Sequence, residues 1–117
     1  MEELLRETLL FDFYGELLTE KQKTIFELFH LQDLSLSEIG EEQDISRQAV
    51  RDQLKRTEAI LQGYEEKLHL VERFLEQKAM VKRIKELVEE VEGQEAVSSP
   101  SREKLALIKQ IANGILE

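Results

Sequence analysis

Four donor side chains are spaced to share one helix face: Arg47, Gln48, Arg51 and Lys55. With Val50 set at 0° and facing a core, steps of about 100° carry Leu54 and Thr57 close to it and put the four donors between about 60° and 160°. Guanidinium groups match the acceptor edge of guanine, a carboxamide matches adenine, and all the cations match phosphate. Arg56 falls on the flank, better placed for phosphate than for bases. Asp52 and Glu58 lie close by and subtract from the charge. The plain alternative is a solvated face on which those two acids neutralise the cations.

Other chemistries find less support. The chain has no Cys, so neither a disulfide nor a thiolate metal site can form. It has no Gly-x-Ser-x-Gly elbow and no glycine loop to cradle phosphate. Glu27-x-x-His30 and Glu66-x-x-His69 are two Glu-x-x-His pairs, which with two further Glu could build a di-iron site in a bundle. The helical wheel turns Glu27 and His30 away from Ile25, Leu28 and Phe29, and turns Glu66 and His69 away from Leu68. The expectation is therefore no metal, no cofactor and no catalytic residue: the chain is not an enzyme. Phe11, Phe13, Tyr14, Phe26, Phe29 and Phe74 are expected in packing, with the Tyr14 hydroxyl at the surface.

The elements that must hold the donors can be read from capping and apolar spacing. Leu5, Leu9, Phe13 and Leu17, flanked by Leu10, Tyr14 and Leu18, predict a first helix over 3–18 with a broad inward stripe. Thr19-Glu20-Lys21-Gln22 fits a capping box opening a second helix with Ile25, Leu28 and Phe29 inward, ended by Gln32-Asp33. Ser35-Leu36-Ser37-Glu38 is a second box. Gln43-Asp44-Ile45 reads as a turn and Ser46 as the next cap. The stretch 35–56 thus has the anatomy of a helix-turn-helix, with Leu36, Ile39, Ile45, Val50 and Leu54 as its apolar core. In such a motif the first helix braces the second, which can then enter a major groove.

From Val50 the apolar residues step by four and three through Leu54, Thr57, Leu61, Tyr64, Leu68, Val71 and Leu75, then shift to Val81, Ile84, Val88 and Val91. This predicts one long helix, or two nearly continuous ones, from Arg47 to about Glu90. Gly93 to Ser101 reads as a linker, and Ser101-Arg102-Glu103-Lys104 as the start of a short last helix with Leu105, Ile108, Ile111 and Ala112 on its apolar face. The fold expected is all-α, a body over 1–75 followed by a helical extension over 76–117 acting as an oligomerisation arm. A homodimer or higher homo-oligomer would follow.

Charge constrains the partner. Of 117 residues, 25 are acidic and 16 basic, a net −9, and 12 acids against three bases lie in 1–45. Such a chain is repelled by phosphate at long range, so nucleic-acid contact has to come from a local basic face. An acidic start, Met1-Glu2-Glu3, is unlike a secretory signal, and no apolar run approaches the roughly 20 residues of a bilayer span. The expectation is a cytoplasmic protein without membrane insertion.

A family resemblance rests on particular residues. Leu36-Ser37-Glu38-Ile39-Gly40, Ile45-Ser46-Arg47-Gln48-Ala49-Val50 and Leu54-Lys55-Arg56 are similar to the promoter-reading C-terminal domain of sigma factors. With Leu10-Phe11-Asp12-Phe13-Tyr14, Leu17-Leu18-Thr19-Glu20-Lys21-Gln22 and Lys55-Arg56-Thr57-Glu58, the chain up to about residue 78 resembles the YlxM family of small bacterial proteins of the DNA-binding type. The resemblance implies a helix-turn-helix fold, a regulatory role, and a part in the signal recognition particle pathway, beside whose genes the family is encoded. It implies no catalytic activity. The chain departs from the generic motif at Gly40, where Ala is favoured, and at Asp44, where Gly is favoured.

Overall fold

The structure, a computed structural model, describes residues 3–116. Six α-helices follow one another: α1 (Glu3–Tyr14), α2 (Glu20–Phe26), α3 (Leu36–Gln43), α4 (Arg47–Leu68), α5 (Leu70–Glu92) and α6 (Ser99–Leu116). No strand occurs among the described residues. A 3-10 turn, Gly15–Leu17, closes α1, and a π-helical turn, Glu27–Leu31, closes α2. The chain divides into two compact units, Met1–Val71 and Glu72–Glu117.

In the first unit, α2, α3 and α4 converge on Ile25, Leu28, Ile39, Val50 and Leu54, with Phe29, Leu34, Leu36 and Ile45 packed around them. Burying each large aliphatic of this set stabilises the fold by about 1.5–3 kcal/mol. Both predicted capping boxes form: Thr19 with Gln22, and Ser35 with Glu38. Each satisfies two backbone N–H groups that the helix start leaves open. Three non-glycine residues are left-handed: Asp44 (φ 56°) and His69 (φ 55°) cap the ends of α3 and α4, and Asp33 (φ 61°) follows the π-helical turn by two residues.

The first helix faces the core differently from the expectation. Leu10, Tyr14 and Leu18 are buried, whereas Leu5, Phe13 and Leu17 are exposed and Leu9 is half-buried. Two neighbouring apolar lines run along α1, and periodicity cannot say which one meets α4. The choice is made by Tyr14. Its hydroxyl is not at the surface: it donates to Glu65 Oε1 at 2.5 Å and accepts from the Leu70 N–H at 3.1 Å. The same Glu65 oxygen accepts from the Val71 N–H at 3.0 Å. Tyr14 and Glu65 thus satisfy the first two N–H groups of α5, groups that have no partner inside a helix.

That network also explains why the long helix is interrupted. α4 stops at Leu68, His69 turns left-handed, and α5 restarts at Leu70. Leu68, expected on the seam, is exposed, and Glu65 is buried. The apolar rhythm runs across the break because it reports which side is inward, not whether the backbone continues.

The second unit is a hairpin of α5 and α6. Val88 and Ala112 are buried in it. Lys109 Nζ meets Glu92 at 2.8 Å, and the Arg102 guanidinium donates to the carbonyls of Glu92 and Gln94. The last helix begins two residues before the expected Ser101. The Ser98 hydroxyl accepts from the Ser101 N–H at 3.3 Å, which puts Pro100 in the first turn, where its missing N–H costs nothing.

Candidate nucleic-acid interface

The turn between α3 and α4 is built from backbone hydrogen bonds. The Ile45 N–H donates to the Gly40 carbonyl at 2.9 Å and the Asp44 N–H to the Glu41 carbonyl at 3.4 Å. This nested pair, closed by a left-handed residue, is the Schellman end of a helix. Asp44 occupies the position that glycine would take most easily, and its short polar side chain tolerates it. Gly40 is needed for close approach: a Cβ there would stand 2.7 Å from the Ile45 carbonyl oxygen. The departure from the generic motif at Gly40 therefore corresponds to a turn drawn tightly over α3. Ser46 then caps α4, its hydroxyl accepting from the Ala49 N–H at 3.0 Å.

This start fixes the rotation of α4. Val50 and Leu54 are buried beside Ile39, while Leu36 and Ile45 pack half-buried at the edge of that core. Arg47, Gln48, Arg51, Lys55 and Arg56 are all exposed. The Gln48 amide donates to Asp52 Oδ1 at 3.1 Å. Among the described residues, Arg47, Arg51, Lys55 and Arg56 have neither an ion pair nor a side-chain hydrogen bond, so their donors point to solvent uncommitted.

Glu58, expected to reduce the charge of this face, is engaged elsewhere. Its Oε1 lies 3.1 Å from His30 Nε2. His30 is not off the core side as the wheel implied, for its side chain is 11% exposed and its ring sits 4.3 Å from that of Phe26. The π-helical turn explains the error. The Gln32 N–H reaches back five residues to the Glu27 carbonyl, and one extra residue per turn rotates the later side chains out of the α-helical register. His30 finds Glu58 across the fold rather than its sequence neighbour Glu27. The donor atoms of Glu7, His30 and Glu58 lie within 4.8 Å of one another. Within that group His30 Nε2 and Glu58 Oε1 are the hydrogen-bonded pair.

A short capped helix, a left-handed turn and a second capped helix with a solvent-facing cationic flank define a helix-turn-helix protein. The particular family is shown by sequence. The profile of the UPF0122 family, described as "Putative helix-turn-helix protein, YlxM / p13 like", matches residues 1–99, and the chain belongs to that family. It is 52% identical over 92 residues to UPF0122 proteins of Bacillus cereus (strain Q1) and Bacillus anthracis (strain A0248), a match covering 79% of this chain and 84% of each relative. No helix of the described residues is long and apolar enough to cross a membrane.

Proposed function

We propose that the protein is a non-catalytic, cytoplasmic DNA-binding regulator that uses α4 as its recognition helix. Arg47, Gln48, Arg51 and Lys55 contact base edges and phosphates in a major groove, and Arg56 contacts the phosphate backbone. The observation that carries this reading is the free cationic flank: Arg47, Arg51 and Lys55 stand exposed and unpaired beside the buried Val50 and Leu54. The acidic balance of the chain keeps non-specific affinity low, so binding depends on this local face. A homodimer or higher homo-oligomer would present two such motifs to two half-sites. The resemblance read from the sequence implies a part in the signal recognition particle pathway as the setting for that regulation.

A gel-shift titration against a library of genomic fragments at low salt tests the proposal. The expected result is a retained fragment whose affinity falls by about 1–3 kcal/mol on Arg51→Ala. If no fragment is retained by the wild type, the proposal fails.

One observation favours a second reading, a protein or ribonucleoprotein interaction module that keeps the motif as a scaffold. Leu5 and Phe13 of α1 and Leu17 of the 3-10 turn after it are exposed beside the acids Asp12 and Glu16, a surface suited to an apolar partner with a basic rim. Components of the signal recognition particle would be such partners. Pull-down from extract with and without nuclease separates the readings. Recovery of protein or particle RNA that does not depend on DNA supports the second and counts against the first.

A further inference from the structure

The α5–α6 hairpin leaves one face uncovered. On α5, Met80, Ile84, Leu87 and Val91 step by four, three and four and are all exposed. On α6, Leu107, Ile108, Ile111 and Ile115 are exposed as well, Ile111 by 66%. A groove of about 200 Å³ joins the two lines, walled by Val81, Ile84, Ile108, Ile111, Ala112 and Ile115 without a polar group. Lys109 and Glu92, which clasp the hairpin, are engaged with each other.

Two observations say what covers it. Eight large apolar side chains, each at least 40% exposed, lie along the two helices, a surface on the scale that one partner contributes to a standard interface. A patch of that size exceeds what a soluble monomer ordinarily leaves open. The second is charge. At about 100° per residue, only Arg83 and Glu90 among the charges of this stretch flank the Met80–Val91 stripe, Arg83 toward its start and Glu90 toward its end, while the other charges turn away, Glu92 to Lys109. A flank divided in this way is complementary to itself when reversed. Antiparallel pairing sets this flank of one helix against the same flank of its mate, so that Arg83 comes beside Glu90 of the second copy. Arg83, exposed at the rim, makes only long contacts within its own helix, 3.5 Å to Glu86 and 3.8 Å to Glu90, and is available to exchange them for a second chain.

We infer that a second copy of this chain covers the apolar face, the two hairpins packing as a four-helix bundle in which α5 lies antiparallel to its mate. A two-fold axis close to the middle of the Met80–Val91 stripe brings Met80 opposite Val91 of the second copy and Ile84 opposite Leu87. This deepens the oligomeric part of the proposed function and does not depend on DNA contact.

The test uses the full chain without DNA. Sedimentation over a wide concentration range is expected to give twice the 13.7 kDa chain mass. Ile84→Glu combined with Ile111→Glu is expected to weaken the dimer roughly 100-fold or more, since both positions sit in the buried centre. Circular dichroism should stay unchanged, because both residues are exposed within one chain. Orientation is read by cross-linking, which is clean because the chain has no Cys. A mixture of Met80→Cys and Val91→Cys variants should form a disulfide-linked heterodimer that neither variant forms alone. A monomer at every concentration, a dimer indifferent to the paired Glu substitutions, or self-linking by each single Cys variant would overturn the inference. The first two leave the DNA titration of Arg51→Ala interpretable, so this inference and the DNA reading can fail separately.

Discussion

Replacing Tyr14 by phenylalanine removes one oxygen atom and keeps the ring. The ring packs against Tyr64 with centroids 5.9 Å apart, a contact the substitution preserves. The hydroxyl has two roles. It donates to the buried Glu65 carboxylate at 2.5 Å, and it accepts from the Leu70 N–H at 3.1 Å. A hydrogen bond to a charged group is worth about 1.5–3 kcal/mol net, and an orphaned buried donor costs about 1–3 kcal/mol. Leu70 is partly exposed, so water replaces some of the second contribution. The expected loss is about 2–3 kcal/mol, read as a lower midpoint in urea. Hydrogen exchange provides a local readout, because the Leu70 and Val71 amides should exchange faster in Tyr14→Phe than in wild type at matched stability. A double-mutant cycle with Glu65→Gln should show coupling of about 1 kcal/mol or more. A loss below about 0.5 kcal/mol, with both amides still protected, would mean that this network does not hold the start of α5, and the account of the α4–α5 break would be wrong.

Further expectations concern the turn and the pH limits. Asp44→Gly relieves a left-handed conformation that costs an ordinary L-residue about 1–2 kcal/mol and loses some of that gain to backbone entropy, so it should raise stability by up to about 1 kcal/mol in thermal unfolding. A destabilised variant would show that the Asp44 side chain makes the turn. Two groups set a pH window. Burial, reinforced by Glu65, holds the Tyr14 hydroxyl above its usual 10.0, so its stabilisation is complete below pH 10 and is lost as the pH rises through the folded value. The backbone N–H and side chain of Ser35 hold Glu38 below the usual 4.5, so its contribution is present above that value and lost as the pH falls through the folded one. Unfolding midpoints against pH should decline at both ends. Glu38→Gln should flatten the acid limb and Tyr14→Phe the alkaline one.

Much of the fold could be read from the chain itself. Capping boxes, turns and helix starts are local: Thr19, Ser35 and Ser46 bond to backbone three residues on, and Asp44 closes α3 through hydrogen bonds within six residues. Their energies depend on neighbours in sequence, so sequence sets them. The same holds for the alternation that turns Val50 and Leu54 inward and leaves Arg47, Arg51 and Lys55 outside.

Contacts across the chain decided the rest, and those required the tertiary structure. Which apolar line of α1 faces inward depends on Tyr14 reaching Glu65, 51 residues away. The wheel placed His30 outside because it assumed an unbroken α-helical register, which the π-helical turn at Glu27–Leu31 changes. Glu58 left the cationic face because His30 was there to receive it. Periodicity records how polar each side of a helix is. It does not record which distant group will satisfy a buried hydroxyl, carboxylate or imidazole, and those pairings chose the helix faces.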